Sequence, residues 1–135
     1  MSCRITEDIE IKTVIAPVSQ TAGGNTTGAY LPMPSSPSGF ESIDFVIRTG
    51  ALAAGKKITV EVQEADDDSG TNASTIEGYA VEHTAGDGGE AETEVKVWLV
   101  NADVKKDFVT VKVTNDNGAA LPLDAFALTR KVFSN

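Results

Sequence analysis

The feature that most constrains the fold is a strict alternation of apolar and polar residues in the segment 57–78. Ile58, Val60 and Val62 recur with a period of two, and polar residues stand between them. A period of two with β-branched residues is typical of a β-strand with one buried face. The alternation stops at the charged turn sequence DDDSG, residues 66–70, and a second β-type run follows it. The segment therefore predicts a strand, an acidic loop and another strand.

Similar alternation recurs along the chain, and turn-rich loops separate the runs. It predicts strands at roughly 9–16, 41–48, 57–65, 75–83, 94–99, 108–114 and 124–133. No long window carries a helical period, so the fold class is expected to be all-β. Strands that recur with turn signals between them predict a single-domain antiparallel β-sandwich of about seven or eight strands. Its topology is either a jelly roll or another Greek key, because spacing alone does not fix the pairing.

The chain length and the net charge limit the number of domains and the kinds of binding partner. A chain of 135 residues is expected to form one domain over residues 1–135, with 1–8 a loose N-terminal arm. The net charge of −9 argues against binding to nucleic acid or to an anionic membrane surface. Cys3 is the only cysteine, which excludes an internal disulfide. No secretory signal or membrane-spanning apolar run is apparent, so we expect a product made and kept in a cytoplasm.

The segment 19–39 is a long Gly- and Pro-rich loop or arm. Its prolines exclude a helix and a central strand. One interpretation is a surface loop with a single short extended piece. The other is an arm that lies on a neighbouring subunit, with Tyr30, Leu31 and Met33 as its anchors. Loops of this length in compact domains are often functional, so both interpretations stay open.

The acidic loop matches a calcium-binding loop only in part. Asp66, Asp68 and Glu77 occupy relative positions 1, 3 and 12 of a calcium-binding loop. Position 5 is Gly70 and position 6 is Thr71, where a ligand and a glycine are required. The pattern therefore favours a solvated, charged loop between strands over a metal site.

No residue constellation in the sequence indicates catalysis. His83 is the only histidine, and Glu82 and Asp87 near it resemble only part of an acid–base group. Neither a nucleophile with a base nor a metal-binding or phosphate-binding motif is present. We therefore expect no enzyme activity, no catalytic residues, no cofactor and no metal.

Trp98 is the most informative aromatic residue. The alternation puts it on the strand face opposite Val95, Val97 and Leu99. If those three residues face the core, Trp98 faces outward, where it suits a protein interface or a sugar-binding platform. A strand covered on both faces would instead bury it.

Two stretches carry a resemblance to a known group of proteins. They are FESIDFVIRTGALAAGKKITVEVQEADDDSGTNASTIEG at 40–78 and KKDFVTVKVTNDNGAALPLDAFALTRKV at 105–132. The first contains the strand end VQEADD, and the second contains a Lys-x-Phe-Val-x-Val-x-Val strand from Lys106 to Val113. Both resemble small tailed-phage and prophage proteins of the capsid decoration, or cement, type.

The resemblance implies a function and partners. Such proteins are structural, bind the outer surface of an icosahedral HK97-type capsid and reinforce it. It implies the major capsid protein and further copies of the chain as partners, a homodimer before a trimer, and a virion location after synthesis in the host bacterial cytoplasm. The expected contact residues are Tyr30, Leu31, Met33 and Trp98. A carbohydrate-binding β-sandwich module and a phage tail or head–tail connector protein are the alternatives.

Overall fold

The computed structural model describes residues 9–33 and 40–131. Those ranges contain nine strands and one 3₁₀ helix, η1 (Asn101–Asp103), and no helix there is long enough to span a membrane. The strands are β1 (Ile9–Gln20), β2 (Asn25–Thr27), β3 (Leu31–Pro32), β4 (Phe40–Thr49), β5 (Lys57–Ala65), β6 (Ser74–Thr84), β7 (Thr93–Val100), β8 (Phe108–Asp116) and β9 (Leu121–Lys131).

The strands form two antiparallel sheets that pack into a β-sandwich, as the sequence predicts. Sheet A has the order β1-β9-β4-β7. Sheet B has the order β2-β8-β5-β6, and β3 also pairs with β8. The pairs are nested, because β1 pairs with β9, β2 and β3 with β8, β4 with β7, and β5 with β6. A long hairpin wrapped in this way is a jelly roll, one of the two topologies expected.

The core between the sheets is built mainly from β-branched residues, as their alternation predicts. Ile58, Val60 and Val62 of β5 are fully buried. Val111 and Val113 of the neighbouring β8 are fully buried as well. Each such side chain contributes about 1.5–3 kcal/mol when it is removed from water. The core therefore needs few aromatic residues.

The segment 19–39 is largely part of the sandwich where the structure describes it. β1 extends to Gln20, and β2 and β3 both pair with β8 at the edge of sheet B. Pro17 and Pro32 are tolerated because they lie on edge strands. Residues 1–8, expected as a loose arm, and residues 34–39 lie outside the described ranges.

A buried asparagine joins the turns at one end of the sandwich. Asn115 is fully buried, and its Nδ2 donates to the carbonyl oxygens of Gln20 at 3.0 Å, Thr21 at 3.2 Å and Ala119 at 2.9 Å. Its Oδ1 accepts from the backbone N–H of Asn117 at 2.8 Å. One side chain thus connects the turn after β1 with the turn between β8 and β9.

We expect Asn115→Ala to lower the free energy of unfolding by about 2–4 kcal/mol, because it leaves several buried backbone groups without a partner. Urea unfolding measures this loss. Asp116→Ala, next to it and exposed, is the matched control and should change little. Equal losses in the two variants would contradict this role of Asn115.

Candidate interaction surface

The outer face of sheet A carries side chains from four strands in aligned rows. The first row, read across β1, β9, β4 and β7, is Ile11, Leu128, Asp44 and Trp98. The second row is Thr13, Phe126, Val46 and Lys96. Opposite residues on neighbouring strands lie about 4.5–5.5 Å apart, so these side chains form one continuous surface.

Six apolar residues on this surface form what we call the apolar face. Its members are Ile11, Val46, Trp98, Val100, Phe126 and Leu128. Ile11 is 73% exposed and Trp98 is 63% exposed, Val100, Phe126 and Leu128 are half-buried, and Val46 is buried. Val95, Val97 and Leu99 are buried on the opposite side of β7, which confirms the predicted orientation of this strand. An exposed apolar patch of this kind typically marks an interaction site.

An ion pair and an unpaired carboxylate provide polarity on the same face. Arg48 donates from Nε to Oδ1 of Asp124 at 3.0 Å and from Nη2 to Oδ2 at 2.7 Å. The hydrogen bond to Asp124 raises the pKa of the Arg48 guanidinium, which also lies 5.3 Å from the ring centroid of Phe126. Asp44 stands between Leu128 and Trp98 and has no ion pair within the described residues.

A shallow groove adjoins the apolar face at the end of sheet A near Gly50. It has a volume of about 510 Å³. Its walls include Pro17, Val18, Glu92 and Pro122, together with the Arg48–Asp124 pair. The groove is open and lies one row away from the apolar residues.

The outer face of sheet B has a different character. Its aligned positions on β5, β8 and β6 include Lys57, Thr59, Glu61, Gln63, Lys112, Thr114 and Glu82. Several of these side chains pair with one another, as between Lys57 Nζ and Glu82 Oε1 at 3.0 Å. In the part of the chain that the structure describes, the exposed large apolar residues Ile11, Val18 and Trp98 all lie on strands of sheet A.

Of the four contact residues predicted from the sequence, the structure buries two, half-buries one and exposes one. Leu31 and Met33 are buried in the core of their own sandwich, so neither is free to anchor a neighbouring subunit, and the expectation is corrected for both. β3 pairs with β8, and this pairing holds Leu31 inward. Tyr30 is half-buried and lies against Gly70 of the acidic loop. Trp98 is the expected contact residue that the structure exposes.

The acidic loop is held by its own hydrogen bonds. Asp67 accepts from the backbone N–H groups of Ser69 and Thr71 and from the Thr71 hydroxyl at 2.6 Å. These bonds, with the hydroxyl first, lower the pKa of Asp67. No group of three potential metal ligands occurs among the residues that the structure describes. The carboxylates thus shape a turn.

Glu64, in the motif VQEADD, is buried and has a structural role. Its Oε1 accepts from the backbone N–H of Lys105 at 2.7 Å and of Lys106 at 3.2 Å. It therefore fixes the loop before β8 against the end of β5. The motif that carries the resemblance is a folding element in this structure.

His83 pairs with a residue that the sequence did not single out. Its Nε2 lies 2.6 Å from Oε1 of Glu90, and the hydroxyl of Thr93 donates to the same oxygen at 2.7 Å. The bond to His83, followed by that to Thr93, lowers the pKa of Glu90. Glu82 pairs with Lys57 instead.

The lowered pKa of Glu90 makes part of the stability depend on pH. A carboxylate whose pKa falls on folding stabilises the fold above its unfolded pKa, and this contribution is lost as the pH falls through the folded pKa. We expect Glu90→Gln to destabilise the chain at neutral pH and to match the wild type once the carboxyl is protonated. Urea unfolding across the acidic range tests this, with the exposed Glu77→Gln as control. A destabilisation by Glu90→Gln that is the same at every pH would contradict it.

Comparisons with known proteins bear on the fold. The sequence matches no protein-family model and no curated protein sequence. The PBSX exported protein XepA has a similar fold, with a TM-score of 0.61 and 12% identity, over 100% of this chain and 41% of that chain. A chain of the infectious bursal disease virus Gx strain gives a TM-score of 0.58 and 9% identity, over 94% of this chain and 33% of that chain.

A carbohydrate-active enzyme shares the fold as well. The CBM22-1–GH10 modules of Clostridium thermocellum xylanase 10B, solved with xylohexaose, give a TM-score of 0.50 and 15% identity. That likeness covers 96% of this chain and 26% of the xylanase chain. The chain thus spans less than half the length of each of these proteins. At identities this low, the similarity establishes a common fold only. The function has to be argued from the surface residues.

Proposed function

We propose that the chain is a non-enzymatic structural protein of a phage particle, which binds the outer surface of an icosahedral HK97-type capsid and cements neighbouring capsid subunits. The resemblance of residues 40–78 and 105–132 to capsid decoration proteins supports this proposal. The fold shared with a viral particle chain and with a PBSX exported protein is compatible with it.

The apolar face is the observation that carries the proposal. A protein that coats a shell needs one adhesive surface and a second surface that stays in water. Sheet A offers apolar side chains, including Trp98 and Ile11, where sheet B offers threonines and paired charges. Tryptophan is enriched among the residues that contribute most to binding. In this proposal sheet A faces the capsid and sheet B faces outward.

The distribution of charge agrees with this orientation. The three rows of sheet A that pass through Trp98, Lys96 and Glu94 carry the basic residues Arg48 and Lys96 and the acidic residues Asp44, Glu94 and Asp124, a net charge of 2 − 3 = −1. The whole chain has a net charge of −9. Most of the negative charge therefore lies elsewhere, where it opposes contact with nucleic acid.

Trp98→Ala should weaken binding to undecorated capsids of the parent phage by roughly 10- to 30-fold, because a central aromatic anchor is lost. Co-sedimentation at graded micromolar concentrations measures the affinity. The fold should persist, since Trp98 is largely exposed. Thr59→Ala, on the outer face of sheet B, is the matched control and should bind as the wild type does. Absence of co-sedimentation of the wild-type protein would refute the proposed function.

A carbohydrate-binding module is the second candidate, and one observation favours it. Trp98 is exposed on a chain whose fold is similar, at a TM-score of 0.50, to part of the xylanase modules solved with xylohexaose. Sugar platforms generally stack rings on aromatic faces. Titration with xylohexaose while the Trp98 fluorescence is recorded tests this candidate. A saturable change that Trp98→Ala abolishes would support sugar binding, and a flat titration would exclude this ligand.

A further inference from the structure

The two sheets end in edge strands, and three of these edges are interrupted. β1 contains Pro17 and two register shifts. β2 and β3 are three and two residues long, with Gly28 between them, and β6 contains Gly78 in a register shift against β5. β7 contains neither glycine nor proline, and its register with β4 is unbroken from Thr93 to Val100. Bulges, prolines and short strands protect edges from pairing, so β7 is the open edge.

The backbone of β7 points hydrogen-bonding groups away from the sheet. The N–H of Gly50 donates to the carbonyl oxygen of Pro122 at 2.9 Å, so Gly50 and every second residue before it in β4 direct their backbone groups to β9. The β4 residues between them, which pair with Val95, Val97 and Leu99, direct theirs to β7. Residues two apart on a strand direct their N–H and C=O groups to the same side. Since Val95, Val97 and Leu99 direct their backbone groups to β4, those of Glu94, Lys96 and Trp98 point to the open edge. Within the described residues, no hydrogen bond satisfies them.

We propose that two copies of the chain associate through β7, antiparallel, with Val95 of each copy on the two-fold axis. In this register Glu94 of each copy lies opposite Lys96 of the other. An isologous contact requires a self-complementary surface, and a basic and an acidic residue placed symmetrically about one position provide it. Opposite charges directly across a strand pair stabilise it.

Neighbouring registers fit less well. An axis at Lys96 puts two ammonium groups opposite each other, and an axis at Glu94 does the same with two carboxylates. An axis at Val97 places Glu94 opposite Val100 and Lys96 opposite Trp98, so neither charge meets an opposite one. The register centred on Val95 is thus the one in which the charges match and the paired N–H groups are free.

The charged side chains are available for exchange between copies. Lys96 and Glu94 have side chains that are 72% and 49% exposed, and within one copy their Nζ and Oε1 atoms lie 3.2 Å apart. Pairing joins the two copies of sheet A into one eight-stranded sheet. A two-fold axis normal to that sheet puts both apolar faces on the same side. This inference is independent of capsid binding, although such a dimer would present two Trp98 side chains to one surface.

The test is charge reversal, read by analytical ultracentrifugation of the full chain over a range of concentrations. Lys96→Glu or Glu94→Lys alone makes both cross-axis pairs repulsive and should weaken dimerisation by roughly tenfold or more. The double variant Glu94→Lys with Lys96→Glu restores opposite charges and should recover the wild-type dissociation constant. Lys57→Glu, which breaks the exposed pair with Glu82 on sheet B, is the matched control and should leave it unchanged.

Amide hydrogen exchange of the wild-type protein gives a second measurement that needs no variant. The amides of Glu94 and Lys96 should exchange quickly at low concentration and slowly at high concentration, while those of Val95 and Val97, directed at β4, stay protected throughout. A monomer at every concentration, unchanged association in the single variants, no rescue in the double variant, or exchange at Glu94 and Lys96 that is independent of concentration would each overturn the proposal.

Discussion

The arrangement of the two sheets depends on a small polar cluster at one end of an otherwise apolar sandwich. Asn115 binds the turn after β1 and the turn before β9 with one side chain. Asn117 extends the cluster, because its Oδ1 accepts from the backbone N–H of Ala53 at 2.9 Å in the loop between β4 and β5. Valine and isoleucine in the core are interchangeable in part, but these buried amides satisfy particular backbone groups. They therefore favour the one arrangement of loops in which those backbone groups are hydrogen-bonded.

The alternation that builds the core also creates the surfaces. Once Ile43, Phe45 and Ile47 face inward, the residues between them must face outward, and the register then decides which of them meet across strands. In sheet A this process aligns Trp98 with Leu128 and Ile11. In sheet B it aligns threonines with paired charges. The chemical difference between the two outer faces is thus a consequence of strand register.

Strand positions and the inward faces of β5 and β7 could be predicted from the sequence, because they depend on local periodicity. The apolar face could not, because it depends on which strands are neighbours. In β9 the larger Phe126 and Leu128 face outward while Ala125 and Ala127 face the core. Large apolar side chains more often face the core. The burial of Leu31 and Met33 was missed for a similar reason. Pro32 favours a loop locally, but pairing of β3 with β8 overrides that preference.

The motif VQEADD illustrates how resemblance and mechanism separate. Its most buried charged member, Glu64, closes the loop before β8, and Asp67 shapes the turn that supports Tyr30 through Gly70. The motif therefore has a structural role at this point of the fold. The proposed capsid contacts lie outside the motif, on β1, β4, β7 and β9. Residues 62–67 lie on β5 of sheet B and in the loop after it, so substitutions on the outer face of sheet A can leave these contacts unchanged.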